Sequence, residues 1–543
     1  MTDVVDQLRQ ENSRLRQQAN YYKSLYTRTA AKLDTARQTI TALKQKVAEW
    51  VRRFFARGSE KSKGKGKGKA GPSSGSTPQS QKRPRGQQPG QPGHGRQERP
   101  DLPEKVVVVD LPGGAPVCEE CGQPYHRNGT AHSHEEIVVE INIFKRVVRR
   151  QQYEKGCSCS KPGLPARVVA PPPARVIPRG LLSVESIVEG LLNKFKYFMP
   201  VQRMVAQWSE LGVDISPGTW CGTFQQLGPM FEPLMEALLE ACRADRRWLM
   251  DETRWAVYVR MEGKESFRWW LWVMISPRVK YHLLSPSRGS GVPKEFFGYD
   301  KEKGRCQWTG SLMVDRFSSY KFLATLLKLA FCWTHVRRDF VEAQAGADAA
   351  QVAWAQGWID RIGGLYELNG KRLELGQDTQ EPKLPAPFVR MDPERMAQAQ
   401  YQQADGALRQ AVAAFKGQWE AELAQEKLPI RQRKILESLK NHWSGLTLFV
   451  DNPEIPMDNN GAERVIRGGA IARNNFYGSG SVWSGELLAM MLTILQTAQM
   501  HQVNLRRYLT DYLLACANNG GQAPKDLTPW LPWNYKPKET SGP

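Results

Sequence analysis

The chain has 543 residues, of which 41% are apolar and 24% charged; that balance excludes wholesale disorder, and at roughly 150 residues per domain there is room for several cores. The formal net charge is +21, an excess that a polyanion such as nucleic acid explains better than a small acidic substrate. No apolar run approaches the ~18 residues needed to cross a bilayer, and the start MTDVVDQLRQ lacks the basic-then-apolar order of a secretory signal, so a cytoplasmic, nucleoid-associated protein without a membrane partner is expected.

Residues 1–56 carry a seven-residue repeat: Val5, Asn12, Ala19, Tyr26, Leu33, Ile40 and Val47 at a, and Leu8, Leu15, Tyr22, Thr29, Ala36, Leu43 and Trp50 at d. A single surface helix would let this stripe drift, whereas a supercoil holds it, so a coiled coil that makes a homodimer or higher oligomer is expected. Residues 57–105 are rich in Gly, Pro, Ser and Lys and have almost nothing to bury; they are expected to be a disordered basic linker. Within it Lys82, Arg83 and Arg85 resemble an arm that enters an AT-rich minor groove.

From 106 to 172 the pattern turns strand-like, with Cys118-Glu119-Glu120-Cys121-Gly122 near one end and Cys157-Ser158-Cys159 near the other. Four thiolates at two turns suit one tetrahedral structural Zn2+, the arrangement of a zinc ribbon. The second pair is spaced CxC, and His126, His132 and His134 are alternative ligands from that stretch. Residues 173–245 read as helices, with Gly212 closing one and Ser216-Pro217 opening the next. Helix, turn and helix suit a DNA-binding pair or ordinary packing, and the absence of Lys and Arg from WCGTFQQLGPMFEPLMEALL favours packing or a degenerate helix-turn-helix.

The chemistry is expected in residues 246–342 and 446–517. WLMDETRWAVYV, FRWWLWVMIS and YHLLS form a strand meander; GSLMVD and LAFCWTH add strands alternating with helices. Three hairpin strands followed by strand–helix alternation give an α/β fold with a ribonuclease-H-like catalytic core. Asp251 and Asp315 interrupt apolar strands, where a buried carboxylate needs a metal or a cation beside it. Much later, one of Asp458, Asn459 and Asn460 is expected to cap a helix whose first turn carries Glu463. Asp251, Asp315 and Glu463 are thus a candidate trio for two Mg2+ or Mn2+ ions, which prefer oxygen ligands. Between the halves, residues 343–445 have helical periodicity and read as an insertion, either touching DNA or a partner subunit or serving as a spacer. Residues 518–543 are left as a C-terminal tail.

LMDETRWAVY, LMVDRFSSY, FCWTHVRRDF and DNNGAERVIRGGAIARNNFYGSGS, together with the heptads, GQQPGQPGHGR and the cysteine pairs, resemble the DDE transposases of the insertion sequence 66 family, over nearly the whole chain. The resemblance implies a magnesium-dependent ribonuclease-H-like domain with Asp251, Asp315 and Glu463 as catalytic ligands, cutting double-stranded DNA at transposon ends and joining the 3′ hydroxyls to target DNA, with helper proteins as candidate partners. Cys332 and His335 resemble the Cys-x-x-His signature of many DDE enzymes, in a supporting role; a buried Cys and a hydrogen-bonded His at a strand end is the plainer reading. Arg337, Arg338, Arg464, Arg467 and Arg473 flank the acids and are candidate phosphate ligands. SVWSGE after the glycine run, and Arg254 and Trp255 beside the first Asp, depart from the family pattern without removing a ligand. A silent DNA-binding regulator and a nuclease without strand transfer are the rival functions.

Overall fold

The computed structural model describes residues 11, 15, 104–109, 115–126, 136–139, 141–159, 163, 165–262, 266–344, 348–380 and 384–537, within two compact units, Met1–Glu135 and Glu136–Pro543. The coiled-coil expectation (Glu11 and Leu15 apart), the basic linker with Lys82, Arg83 and Arg85, and His132 and His134 lie outside the described residues.

In the first unit a tight turn closes at the first cysteine pair: the Cys118 N–H donates to the Gln123 carbonyl at 2.8 Å and the Gly122 N–H to that of Cys118 at 2.9 Å. Gly122 has φ +73°, left-handed backbone that favours glycine. The strand expectation for 106–172 is met only in part. Among the described residues, the regular ladder there pairs Gln152–Glu154 with Arg167–Val169, and the valines at 106–109 stand exposed outside any ladder. These side chains have no core to enter, so alternation alone does not hold them in strands.

The second unit is mixed α/β, mostly helical, around one five-stranded sheet. It opens with α1 (Val184–Leu191), which runs into a π-helical turn at Leu192–Lys196, then α2 (Val201–Glu210) and α3 (Pro217–Ala244). Ser216 Oγ accepts the Thr219 N–H at 3.1 Å and Pro217 occupies the first turn, as the sequence predicts. Trp220, Phe224, Leu227, Phe231, Leu234 and Leu238 are buried at three- and four-residue spacing, so α3 is held by packing.

The sheet comprises β1 (Arg247–Ala256), β2 (Arg268–Ile275), β3 (Lys280–Ser285), β4 (Ser311–Val314) and β5 (Lys328–Phe331), in the order β3-β2-β1-β4-β5. β2 runs antiparallel to β1 and β3, while β4 lies parallel to β1 and β5. The expected LAFCWTH strand is shorter: it stops at Phe331, and Cys332 caps α4 (Trp333–Ala343), placing His335 in a helical first turn instead of at a strand end.

The insertion is helical as expected, with α5 (Ala349–Gly376), α6 (Ala399–Leu423) and α7 (Ile430–Leu446). Arg372, fully buried on α5, bonds Asp405 of α6 and the carbonyls of Phe449 and Val450. After it, α8 (Asn460–Phe476) packs across β1 and β2, and α9 (Val482–Met500) packs on β3 and α3. α9 is apolar nearly all round, the mark of a helix enclosed in a core. Thr497 and Thr493 of α9 accept the N–H groups of Lys280 and His282, so the outer edge of β3 is covered. α10 (Leu505–Asn518) follows, and the segment beyond it is docked: the Tyr508 hydroxyl donates to the Trp530 carbonyl and Tyr535 to Asp511. Among the described residues no helix is long and apolar enough to cross a membrane.

Parallel pairing of β1 with β4 depends on Gly310, where a Cβ would stand 2.1 Å from the Arg246 carbonyl oxygen. Gly310→Ala is expected to destabilise by about 2–3 kcal/mol. Gly417→Ala on α6, where a Cβ meets nothing within 4 Å, is expected to stabilise by about 0.5–1 kcal/mol. Urea denaturation of the two variants checks both signs.

Candidate active site

The β1–β4 register pairs Leu249 with Met313. Carried two residues further, it sets Asp251 level with Asp315 at the C-terminal mouth of the parallel pair, where side chains at the same level share one face. The Asp251 carboxylate accepts the Glu252 N–H at 2.9 Å and that of Asp315 the Phe317 N–H at 2.9 Å. Glu463 arrives on the first turn of α8. Gly469 lets this helix approach the sheet, since a Cβ there would meet Leu271 Cδ2 at 2.6 Å.

The three acids share an electrostatic neighbourhood. Burial pushes the Asp251 carboxyl up to about 7; the charge of Glu252 adds to this, as do those of Asp315 and Glu463. Glu463 Oε1 is buried and has no hydrogen-bond partner; it lies 3.8 Å from His335 Nδ1, while Oε2 lies 3.9 Å from Arg338 Nη2. Among the described residues no ion pair reaches Asp251 or Asp315. Carboxylates are the oxygen donors that hard divalent cations prefer. Among the described residues the ligand atoms that gather within 4.8 Å of one another are those of Cys332, His335 and Glu463; Asp251 and Asp315 are not in that group. Burial lowers the His335 pKa and Arg338 lowers it further, against the pull of Glu463 and Asp315, so the neutral imidazole is favoured.

What holds the carboxylates in place is a second layer of bonds. Asn459 is buried; its side chain donates to the Met250 carbonyl at 2.9 Å, and its N–H donates to Cys332 Sγ at 3.2 Å. It therefore ties the start of α8 to the residue before Asp251 and to the start of α4. Of the three capping candidates Asn459 holds the N-cap position without a side-chain cap bond, and Asp458 instead accepts the Asn460 N–H at 3.0 Å. Arg316, beside Asp315, donates to Asp339 on α4 and to Ser438 on α7. Glu252, with a side chain 1% exposed, receives Arg288 at 2.6 Å and the Tyr320 hydroxyl at 2.5 Å, joining β1 to the segment after Asp315. At the far end of β1, Trp255 donates to Ser479 Oγ at 3.0 Å. Gly478, at φ +156°, leaves no room for a side chain against the Ala256 carbonyl.

Of the flanking arginines, Arg337, Arg338, Arg464 and Arg467 are exposed. Arg473 is half-buried and donates to Thr253 Oγ1 and the Arg254 carbonyl, which makes it a clasp between α8 and β1. The cysteine pairs are each locally poised: N–H groups of Cys121 and Glu120 lower the Cys118 thiol pKa, and Cys159 lowers that of Cys157. Lowered thiols such as those of Cys118 and Cys157 are of the donor type that suits zinc. Sequence reading missed Asn459 as a tie between elements, together with Glu252, Arg288, Tyr320 and Arg316. Glu252 stands next to Asp251 in the motif, a signal that was there to read; the partners of the others lie far along the chain.

A family model described as "Transposase IS66 family" matches residues 179–487. Among curated relatives, the uncharacterized protein y4jD of Sinorhizobium fredii is 25% identical over 450 residues, covering 80% of this chain and 81% of that protein. Two further uncharacterized proteins of the same organism are similar: y4qI, 25% identical over 67% of this chain and 65% of its own length, and y4hP, 22% identical over 66% and 64%.

Asn459→Ala removes the bond to Met250 and is expected to destabilise by about 1–3 kcal/mol. Calorimetric unfolding checks this, and a change below the lower bound would deny Asn459 its tying role.

Proposed function

The chain belongs to the IS66 transposase family, and from that premise we propose that it is a DNA transposase which binds the ends of an insertion sequence, nicks them and joins the 3′ hydroxyls to target DNA. The sheet order β3-β2-β1-β4-β5, with β2 alone antiparallel to its neighbours, supports reading the core as ribonuclease-H-like. The observation that carries the proposal is the parallel β1–β4 register, in which Leu249 pairs with Met313 and which, continued two residues, would bring Asp251 opposite Asp315, with the charges of Asp315 and Glu463 both adding to the rise that burial imposes on Asp251.

Asp251, Asp315 and Glu463 are the residues that would hold Mg2+ or Mn2+. When bound, such ions neutralise charge on the attacking and leaving oxygens of a phosphodiester and make water a better nucleophile. The protein supplies the rest. Its half-buried pocket weakens solvent screening around the acids. Asn459, Arg316 and the Glu252–Arg288–Tyr320 cluster fix their spacing. Arg337, Arg338, Arg464 and Arg467 offer guanidinium donors for the phosphates on either side, without which the acids would repel the DNA backbone. His335 stands beside Glu463, its Nδ1 3.8 Å from Oε1.

In the same reading the heptad segment pairs subunits so that two ends are held together. The basic linker tracks DNA, and Cys118, Cys121, Cys157 and Cys159 hold a structural zinc ion. Work on the nucleoid in the cytoplasm follows from the substrate.

Glu463→Gln is expected to abolish cleavage of end-bearing DNA, a loss of at least about a thousandfold in rate, while leaving DNA binding intact; retained cleavage refutes the assignment. For zinc, elemental analysis of the purified chain is expected to give one ion per chain, lost on Cys118→Ser and on Cys157→Ser. Zinc that survives both substitutions contradicts the ligand set.

A further inference from the structure

One residue along α8 from Glu463, at Arg464, a cavity of about 210 Å³ opens between the π-helical turn after α1, the first residue of β3, α8 and α9. Its lining includes Lys196, Lys280 and Arg464, two neutral amides, Gln496 and Gln499, and apolar walls such as Phe195. No acid lines it. Among the described residues none of the three cations makes an ion pair, although the second unit pairs many of its other arginines. Lys196 and Lys280 are half-buried, so water shields them poorly. Burial lowers the pKa of both amines, and the charges of Arg464 and Lys196 lower that of Lys280 further. Three like charges held this way repel one another unless an anion sits among them.

The placement is built. The Lys280 N–H is fixed by Thr497 Oγ1 at 3.1 Å. Phe198, at φ +54°, is held by Asn475, whose side chain donates to its carbonyl at 2.9 Å. A Cβ on Gly468 would come within 3.1 Å of both Phe198 and Gln496, so the wall at that point is closely packed. Arg464 directly follows Glu463, about 1.5 Å further along the helix axis and turned about 100° from it. One turn of helix thus presents an acid to the carboxylate pocket and a guanidinium to the cavity.

We propose that this cavity binds a single phosphate group, with Lys196, Lys280 and Arg464 as its ligands and the amide of Gln496 as a neutral donor, and that its natural occupant is a phosphodiester of the DNA strand that enters the neighbouring carboxylate pocket. Three donors from separate elements suit a tetrahedral oxyanion, and a volume of about 210 Å³ admits a phosphate with its sugar but not a base pair. The occupant rests on the transposase reading; the anion site rests on the cavity alone. Anchoring one phosphate at a fixed offset from Glu463 would set which bond of the strand lies over the acids.

The test is an amine-acetylation footprint of the full-length chain in EDTA, read by mass spectrometry at Lys196 and Lys280, with a mixed-sequence DNA duplex or inorganic phosphate as probe and chloride at matched ionic strength as control. The expected result is protection of both amines by the duplex, about tenfold at low salt, and weaker protection by millimolar phosphate. In parallel, Lys280→Gln is expected to reduce the slope of log affinity against log salt by about one, with Lys280→Arg restoring it. Protection by inorganic phosphate with none by DNA overturns the assigned occupant. No protection by either overturns the site. Because no metal or cleavage enters this experiment, its failure leaves the transposase reading standing, and a chain that never cleaves DNA can still pass it.

Discussion

Burial of Asp251 beside other carboxylates is the constraint on which the candidate site depends. Asp251, Asp315 and Glu463 are close enough for the latter two to raise the Asp251 pKa, and Glu252 contributes more than either. Left to themselves such groups would separate or take up protons. Each is carried on or next to a regular element: Asp251 in the middle of a ten-residue strand, Asp315 just after its parallel neighbour, and Glu463 in the first turn of a helix laid across β1 and β2.

The ties between those elements are polar and buried, where bonds are strong and their loss is expensive. Asn459 joins three elements with one side chain and one backbone N–H. Glu252 is neutralised on its own side by Arg288, which in turn stacks 3.8 Å from the Phe317 ring centroid. The acid next to Asp251 is thereby converted from a competitor into a strut. Positive charge is then distributed in two settings: arginines exposed along α4 and α8, and the half-buried Lys196 and Lys280, which share a cavity with the exposed Arg464. The division suits a polyanion that must be attracted over a wide surface and positioned at one point.

Much of this was legible in the primary structure. Asp251 and Asp315 each interrupt or end an apolar stretch of sequence, and the order of those stretches marked them as candidates. Ser216-Pro217 announced its helix, and the Ala- and Gln-rich stretch after residue 343 announced the insertion. Local rules failed where tertiary contact decides. LAFCWTH reads as a continuous strand, yet its last sheet bond is that of the Cys332 N–H to the Val314 carbonyl, and Cys332 caps the next helix while its thiol accepts the Asn459 N–H from 127 residues away. The four consecutive valines at 106–109 meet nothing apolar and form no ladder among the described residues. Lys196 and Lys280 lie in unremarkable contexts, LNKFKYF and PRVKYHLL, and only packing of α8 and α9 reveals that they face Arg464.

The central claim is that the three acids form one divalent-cation site. Manganese binding to the full-length chain, followed by electron paramagnetic resonance, tests it most directly because it needs neither DNA nor turnover. The account predicts that bound Mn2+ is displaced by excess Mg2+ and is lost when Asp315 is replaced by Asn. Binding that is equal in the wild type and in Asp315→Asn, or absent from the wild type at millimolar Mn2+ both with and without DNA, would contradict it.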